Sequence, residues 1–323
     1  MQVLVTGAAG FIGYHVCRAL LARGDAVLGV DNLNDYYDPV LKQARLRELR
    51  SQPGFAFYEG DITSPILWAG MDDYQNVIHL AAQAGVRYSL DAPESYVASN
   101  VMGHLQVLEY CRRQHDFEHL VYASSSSVYG GNQKTPFAVG DPVEHPLSLY
   151  GATKRSGELM SESYSHLFRI PVTGLRFFTV YGPFGRPDMA YYQFTKALFA
   201  GEELTLFNNG NMARDFTYVD DIVQGVLSAL GKPPEDDGKA SPHRLFNLGH
   251  NQPENLARFV EVLEQATGCK AKIRHAPLQA GDPVSTAADI ENSKKELGFS
   301  PVTKLEDGLP RFVEWFRDYH QIS

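Results

Sequence analysis

Gln2-Val3-Leu4-Val5-Thr6-Gly7-Ala8-Ala9-Gly10-Phe11-Ile12-Gly13 decides the fold. It reads as a short buried strand running into Gly-x-x-Gly-x-x-Gly. A helical pattern follows at Tyr14, Val16, Cys17, Leu20 and Leu21 and stops at Gly24, a residue type that caps helices. Next comes an apolar strand, Ala26-Val27-Leu28-Gly29-Val30, that ends in Asp31. Strand, glycine turn, helix, strand and terminal acid make a βαβ unit. Its glycines let the backbone approach a pyrophosphate at a helix N-terminus, and its acid can hold ribose hydroxyls. A carboxylate at that place would repel the extra phosphate of NADP, so Asp31 favours NAD.

Further strands follow at Phe55–Tyr58, Asn76–Leu80, His119–Ala123 and Pro171–Leu175, separated by helical patterns. Six strands alternating with helices predict a doubly wound parallel Rossmann sheet. A strand at Leu245–Gly249 is an expected extra edge, reached through a helix over Ile222–Leu230. After Met189 the composition changes, and a smaller C-terminal α/β substrate domain is expected. The division is 1–180 joined by about 216–248 for the dinucleotide domain, and 181–215 with 249–323 for its partner. Asn32 to Arg50 reads as a polar insertion and a basic surface helix, with Lys42, Arg45 and Arg47 in solvent. A long helix is expected from about Pro93 to Gln114. His79 reads as a core histidine without a catalytic role.

The chemistry gathers between Ser124 and Lys154. Ser124-Ser125-Ser126-Ser127-Val128-Tyr129-Gly130 sits at a strand's carboxyl end, where open parallel sheets place ligands. Tyr150 and Lys154 are four residues apart and share one helix face. A neighbouring ammonium favours phenolate, which makes a base of tyrosine. Most isolated pairs of this spacing only line a helix surface; the βαβ unit upstream is what separates this one from them. Arg214 is a candidate phosphate clamp, because a guanidinium matches phosphate oxygens in bidentate fashion.

Composition narrows the classes. The 323 residues carry 29 basic and 38 acidic side chains, a net charge of −9, which opposes broad nucleic-acid binding. Cys17, Cys111 and Cys269 are far apart and lack metal-ligand spacing, so neither a metal site nor a disulfide frame is expected. No apolar run reaches the roughly 20 residues that span a bilayer. A cytoplasmic enzyme without a membrane partner is the expectation.

With the glycine spacing and Tyr150-x-x-x-Lys154 in place, the chain resembles the extended branch of the short-chain dehydrogenase/reductase superfamily, the NAD-dependent epimerases and dehydratases. Finer matches lie in Asp31-Asn32-Leu33-Asn34-Asp35-Tyr36-Tyr37-Asp38, His79 through Ser89, Ala123 through Gly130, and Arg176 through Gly182 with Arg186-Pro187-Asp188-Met189-Ala190. These resemble UDP-glucuronate 4-epimerases. The resemblance implies NAD on Gly7, Gly10, Phe11, Ile12, Gly13, Asp31, Asn32, Asp61 and Ile62, with Leu80, Ala81, Ala82 and Gln83 at the next strand end. Asn100 would support the active-site backbone. It also implies Tyr150 as base, Lys154 on the nicotinamide ribose and lowering the tyrosine pKa, and Ser125 completing the triad.

The implied reaction is a reversible redox cycle at carbon 4 of a UDP-sugar, with no net oxidation. With glucuronate the keto intermediate is a β-keto acid prone to lose carbon dioxide. Related decarboxylases typically carry an acid where this chain has Ser127, and dehydratases add an aspartate at Ser126. Ser126, Ser127 and Thr179, with Arg186 or Arg87, are therefore the candidates for gripping the carboxylate. Gln279 stands where hexose epimerases often place a second phosphate-binding arginine. A decarboxylase, a UDP-hexose 4-epimerase and an inert dinucleotide sensor are the competing readings; the resemblance also implies a homodimer.

Overall fold

The computed structural model describes residues 1–277 and 284–322. Gln2–Thr6 forms β1, Ala26–Asp31 β2, Phe55–Glu59 β3, Asn76–His79 β4, His119–Ser125 β5, Val172–Phe177 β6 and His243–Leu248 β7. They build one seven-stranded sheet in the order β7-β6-β5-β4-β1-β2-β3. Neighbouring strands run parallel throughout. The six expected strands are present, and the seventh is the edge foreseen near Leu245.

The strands are apolar on both faces because helices cover both. Val3 and Val5 face one core and Leu4 the other, all three fully buried. Helix α1 (Phe11–Ala22) lies on the first face. There α5 (Val219–Leu230) returns to pack beside it. On the second face lies α3 (Leu149–Phe168) with the helical stretch that ends at Cys111. Between these in sequence come α2 (Pro39–Arg50) and α4 (Ala190–Ala200). Beyond the sheet, α6 (Leu256–Thr267) packs on α4 and on α7 (Leu305–His320), beside a parallel pair formed by Glu203–Phe207 and Lys272–Ala276. The chain crosses from β3 back to β4 on the far side of β1. This reversal opens a crevice at the strands' carboxyl ends.

Two expectations change. The helix expected from Pro93 to Gln114 ends at Cys111 and widens into a π turn over Val97–Gly103. That turn carries Asn100, and such widenings collect at functional sites. Helix α2 is not a solvated surface helix: Lys42 and Arg45 are buried, Arg45 completely, while Arg47 is exposed. Leu41, Leu46 and Leu49 turn α2 onto the core and carry the two cations inward with them.

Candidate active site

The glycine turn is built for close approach. Gly7 has φ +74°, and a Cβ there would lie 2.6 Å from the Ala81 nitrogen. A Cβ on Gly13 would meet the Gly7 carbonyl at 2.0 Å. Helix α1 therefore starts hard against β4, and Gly10, its N-cap residue, has no side chain to occupy the first-turn N–H groups. Those donors are left for an anion, the arrangement a dinucleotide pyrophosphate needs.

Asp31 ends β2 at the crevice and accepts hydrogen bonds from the Ala9 and Leu33 amides at 3.1 and 2.9 Å. Burial raises its carboxyl above the usual range, and the two amides with Lys42 and Arg45 oppose that shift only in part. Asn32 donates to Asp61 at 2.9 Å, and Asp61 also accepts from the Thr63 amide and hydroxyl. Burial would raise Asp61, but these donors outweigh it and hold the carboxyl below its ordinary value.

Across the crevice, Ser148 caps α3 by accepting from the Gly151 amide at 3.0 Å, which fixes the turn bearing Tyr150. Lys154 Nζ donates to the Ala123 carbonyl at 3.0 Å and lies 6.0 Å from the Tyr150 ring centre. Burial lowers the Lys154 ammonium to about 8, against the opposing charge of Glu158. The phenol of Tyr150 is raised by burial, while the Ser125 hydrogen bond and the Arg186 charge pull it down. Lys154, the cation expected beside the phenol, holds its ammonium on the β5 carbonyl 6.0 Å from the ring centre, and Arg186 adds a second positive charge there.

One cavity collects Gly7, Gly10, Phe11, Ile12, Gly13, Asp31, Asn32, Asp61 and Ile62. The same cavity is lined by Leu80, Ala81, Ala82, Gln83, Ser125, Tyr150, Lys154 and Arg186. Asn100 stands behind it. Its amide exchanges two hydrogen bonds with the backbone of Gln83, at 2.8 and 2.9 Å, and donates to Thr153 at 3.0 Å, joining the β4 end to α3. Ser126 and Ser127 line a small adjoining pocket with Gly130, Ser148 and Thr286.

The remaining candidates lie apart from the cavity wall. Thr179 is half-buried and donates its amide to the Asp215 carbonyl at 3.1 Å. Arg87 is exposed, with its guanidinium 5.1 Å over the Phe207 ring. Arg214 donates to the Ala213 and Val284 carbonyls at 3.0 and 3.2 Å. Gln279 lies outside the described residues. Among the described residues there is no cluster of metal-ligating side chains and no helix long and apolar enough to cross a membrane.

Several contributors escaped the sequence reading. Glu158 follows Lys154 by four residues and is fully buried against Arg176, with bonds of 2.8 and 2.9 Å. Ser124 and Arg155 donate to the same carboxylate at 2.6 and 3.0 Å. The spacing Tyr150, Lys154, Glu158 was the available signal, since it places all three on one helical stripe. Arg186 is clamped by Asp188, which also accepts from the Tyr36 hydroxyl at 3.0 Å.

A glycine turn at a helix N-terminus, an acid ending β2 and a Ser-Tyr-Lys set lining the same cavity define a dinucleotide-dependent enzyme that works on an alcohol or ketone. The model of the NAD dependent epimerase/dehydratase family matches residues 3–249, and the chain belongs to that family. It is 47% identical to UDP-glucuronate 4-epimerase 1 of Arabidopsis thaliana over 333 residues, 99% of this chain and 77% of that protein. It is 43% identical to Protein CapI of Staphylococcus aureus, over 99% of this chain and 100% of that one. Among solved structures, UDP-glucuronic acid 4-epimerase from Bacillus cereus in complex with UDP-glucuronic acid and NAD matches with a TM-score of 0.91. That match has 35% identity and covers 99% of this chain and 100% of that one.

Proposed function

We propose that the protein interconverts UDP-glucuronate and UDP-galacturonate by inversion at carbon 4, using NAD and keeping the carboxylate. One observation carries the reading: Ser125, Tyr150, Lys154 and Arg186 share a cavity with the glycine turn, Asp31 and Asp61. Homologues bearing that function and a solved relative holding UDP-glucuronic acid and NAD support it.

NAD, which the glycine turn, Asp31 and Asp61 would hold, would supply a reversible hydride acceptor for carbon 4 of the sugar. Tyr150 takes the proton of the 4-hydroxyl and gives it back to the inverted alkoxide. Ser125 donates to the phenolate, and Arg186 stabilises its charge. Asn100 holds the Gln83 backbone at the cavity wall and, through Thr153, its distance from α3.

Losing carbon dioxide requires the carboxylate electrons to flow into the 4-keto group. Hydrogen bonds and positive charge on the carboxylate hold those electrons back. We assign that grip to Ser126, Ser127 and Thr179, with Arg186 or Arg87, and position 127 offers a hydroxyl where an acid would assist a different outcome. Arg214, with Gln279, serves the UDP phosphates. Incubation with UDP-glucuronate and no added reductant should give UDP-galacturonate by NMR. A UDP-pentose with carbon dioxide as the main product would replace this reading with the decarboxylase.

Leu90, Val97, Met102, Leu159, Leu167 and Phe168 are large apolar side chains left exposed, all on the α3 side of the sheet. They support a homodimer formed through these helices. Sedimentation should give twice the chain mass, and Leu159→Glu should shift it towards the single chain; a parent that sediments as a single chain removes the dimer. The free thiols of Cys17, Cys111 and Cys269 accord with a reducing, cytoplasmic setting.

A further inference from the structure

The segment from Asn34 to Arg45 leaves the end of β2, covers one side of the cavity and re-enters the core through α2. Asn34, Tyr36, Tyr37 and Lys42 line the same cavity as the glycine turn. The segment is closed on itself by Lys42, whose Nζ donates to the Asn34 carbonyl and side chain at 2.6 and 2.7 Å. A fully buried guanidinium anchors its far end. Arg45 Nη1 donates to the Ala9 carbonyl inside the glycine turn at 2.7 Å and to the Tyr37 hydroxyl at 2.6 Å. Its Nη2 and Nε donate to the Phe184 carbonyl at 2.6 and 3.2 Å.

Phe184 is not an arbitrary acceptor. It has φ +56°, a left-handed conformation that a phenylalanine rarely adopts. Its ring lies between Tyr14 and Trp315, at 4.8 and 5.0 Å. Two residues later the same loop presents Arg186 to the cavity. The Tyr36 hydroxyl reaches over and donates to Asp188, which clamps Arg186. One insertion therefore ties the 184–188 loop at two points and ties the glycine turn at a third.

We propose that residues 34–45 form a clasp holding the 184–188 loop across the dinucleotide cavity, with Arg45 and Tyr36 as its positioning residues. Its consequence is retention of NAD through both half-reactions. The hydride must return to the sugar that gave it, so a reduced cofactor lost at the keto stage carries the hydride away and leaves the keto sugar with no reductant. The clasp rests on the cofactor reading above, but not on the identity of the sugar.

The test is the rate at which NAD leaves the purified protein, measured by displacement with excess NADH and its fluorescence. Arg45→Lys keeps the charge but cannot span two carbonyls, and NAD should leave about tenfold faster or more. Tyr36→Phe removes the second tie from a half-buried segment and stays readable if Arg45→Lys does not fold; a rise of about threefold or more is expected. Arg47→Met, exposed on the same helix, should match the parent. Rates for Tyr36→Phe and Arg45→Lys within about twofold of the parent overturn the clasp, as does an equal rise in Arg47→Met. So does a rise that only follows a fall of several degrees in the unfolding midpoint of Tyr36→Phe, since that marks a general packing defect. A parent that binds no NAD would overturn the cofactor reading itself, whereas a parent that binds NAD but ignores UDP-glucuronate would leave the clasp measurable.

Discussion

Replacing Tyr150 by phenylalanine is expected to cut kcat by about a thousandfold, the middle of the range for losing a positioned acid-base group. Tyr150 is half-buried at the cavity wall; burial and the Asp188 charge favour the neutral phenol, while the Ser125 hydrogen bond and the Arg186 charge favour phenolate. Phenylalanine keeps the edge contact with Tyr96, whose ring centre lies 6.1 Å away, so the fold and the glycine turn are left as they are. Turnover followed by NMR, beside the NAD content of the variant, separates the two effects. Near-normal turnover would remove Tyr150 from the proton transfer. A loss of turnover that merely tracked a loss of NAD would make the residue a binding group instead.

The second large effect is on stability. Glu158→Gln should cost about 3–5 kcal/mol in chemical denaturation, because it leaves the Arg176 charge buried without its counter-charge. Arg176 is 1% exposed and stacks 4.8 Å over the Tyr129 ring, so water cannot replace the lost partner. The pH dependence has a definite sign. Burial raises the Glu158 carboxyl, the Arg176, Ser124 and Arg155 donors overcome it, and the group ends below its ordinary range. Its contribution is therefore complete above the unfolded carboxylate pKa and fades as pH falls through the lower, folded value. The gap between parent and variant should be widest near neutrality and narrow in acid. Activity should respond as well: Glu158 is the charge that opposes the burial of Lys154, so its removal should move the basic limb of the kcat profile to lower pH. A stability cost below about 1 kcal/mol, with an unmoved basic limb, would make the pair a bystander.

Much of the site was legible from residue order. Gly7, Gly10 and Gly13 could be read because the close approach they permit is local, between one strand end and the next helix. Tyr150 and Lys154 could be read because four residues make one turn. Ser126 and Ser127 were found by the run of hydroxyls at a strand end, and the structure places them in the pocket next to the base rather than on the wall of the main cavity.

Other features needed the fold. Lys42 and Arg45 look like surface cations on a polar helix, and nothing within their own segment reveals that Ala9 and Phe184, separated by 175 positions in sequence, offer carbonyls to the same guanidinium. Tyr36 and Asp188 meet across a comparable distance in the chain. Nor does the Tyr-Lys spacing reveal that Arg186 reaches the phenol from a loop beyond β6.

The chain order by itself determined the βαβ opening, the parallel sheet, the dinucleotide turn and the Tyr-Lys stripe, because each depends on contacts within a few residues or one repeating unit. Tertiary structure alone decided which charges are buried, which of them reach the phenol, and what ties residues 34–45 to residues 184–188. Those are properties of groups brought together from distant parts of the chain, where burial removes the water that would otherwise level their differences.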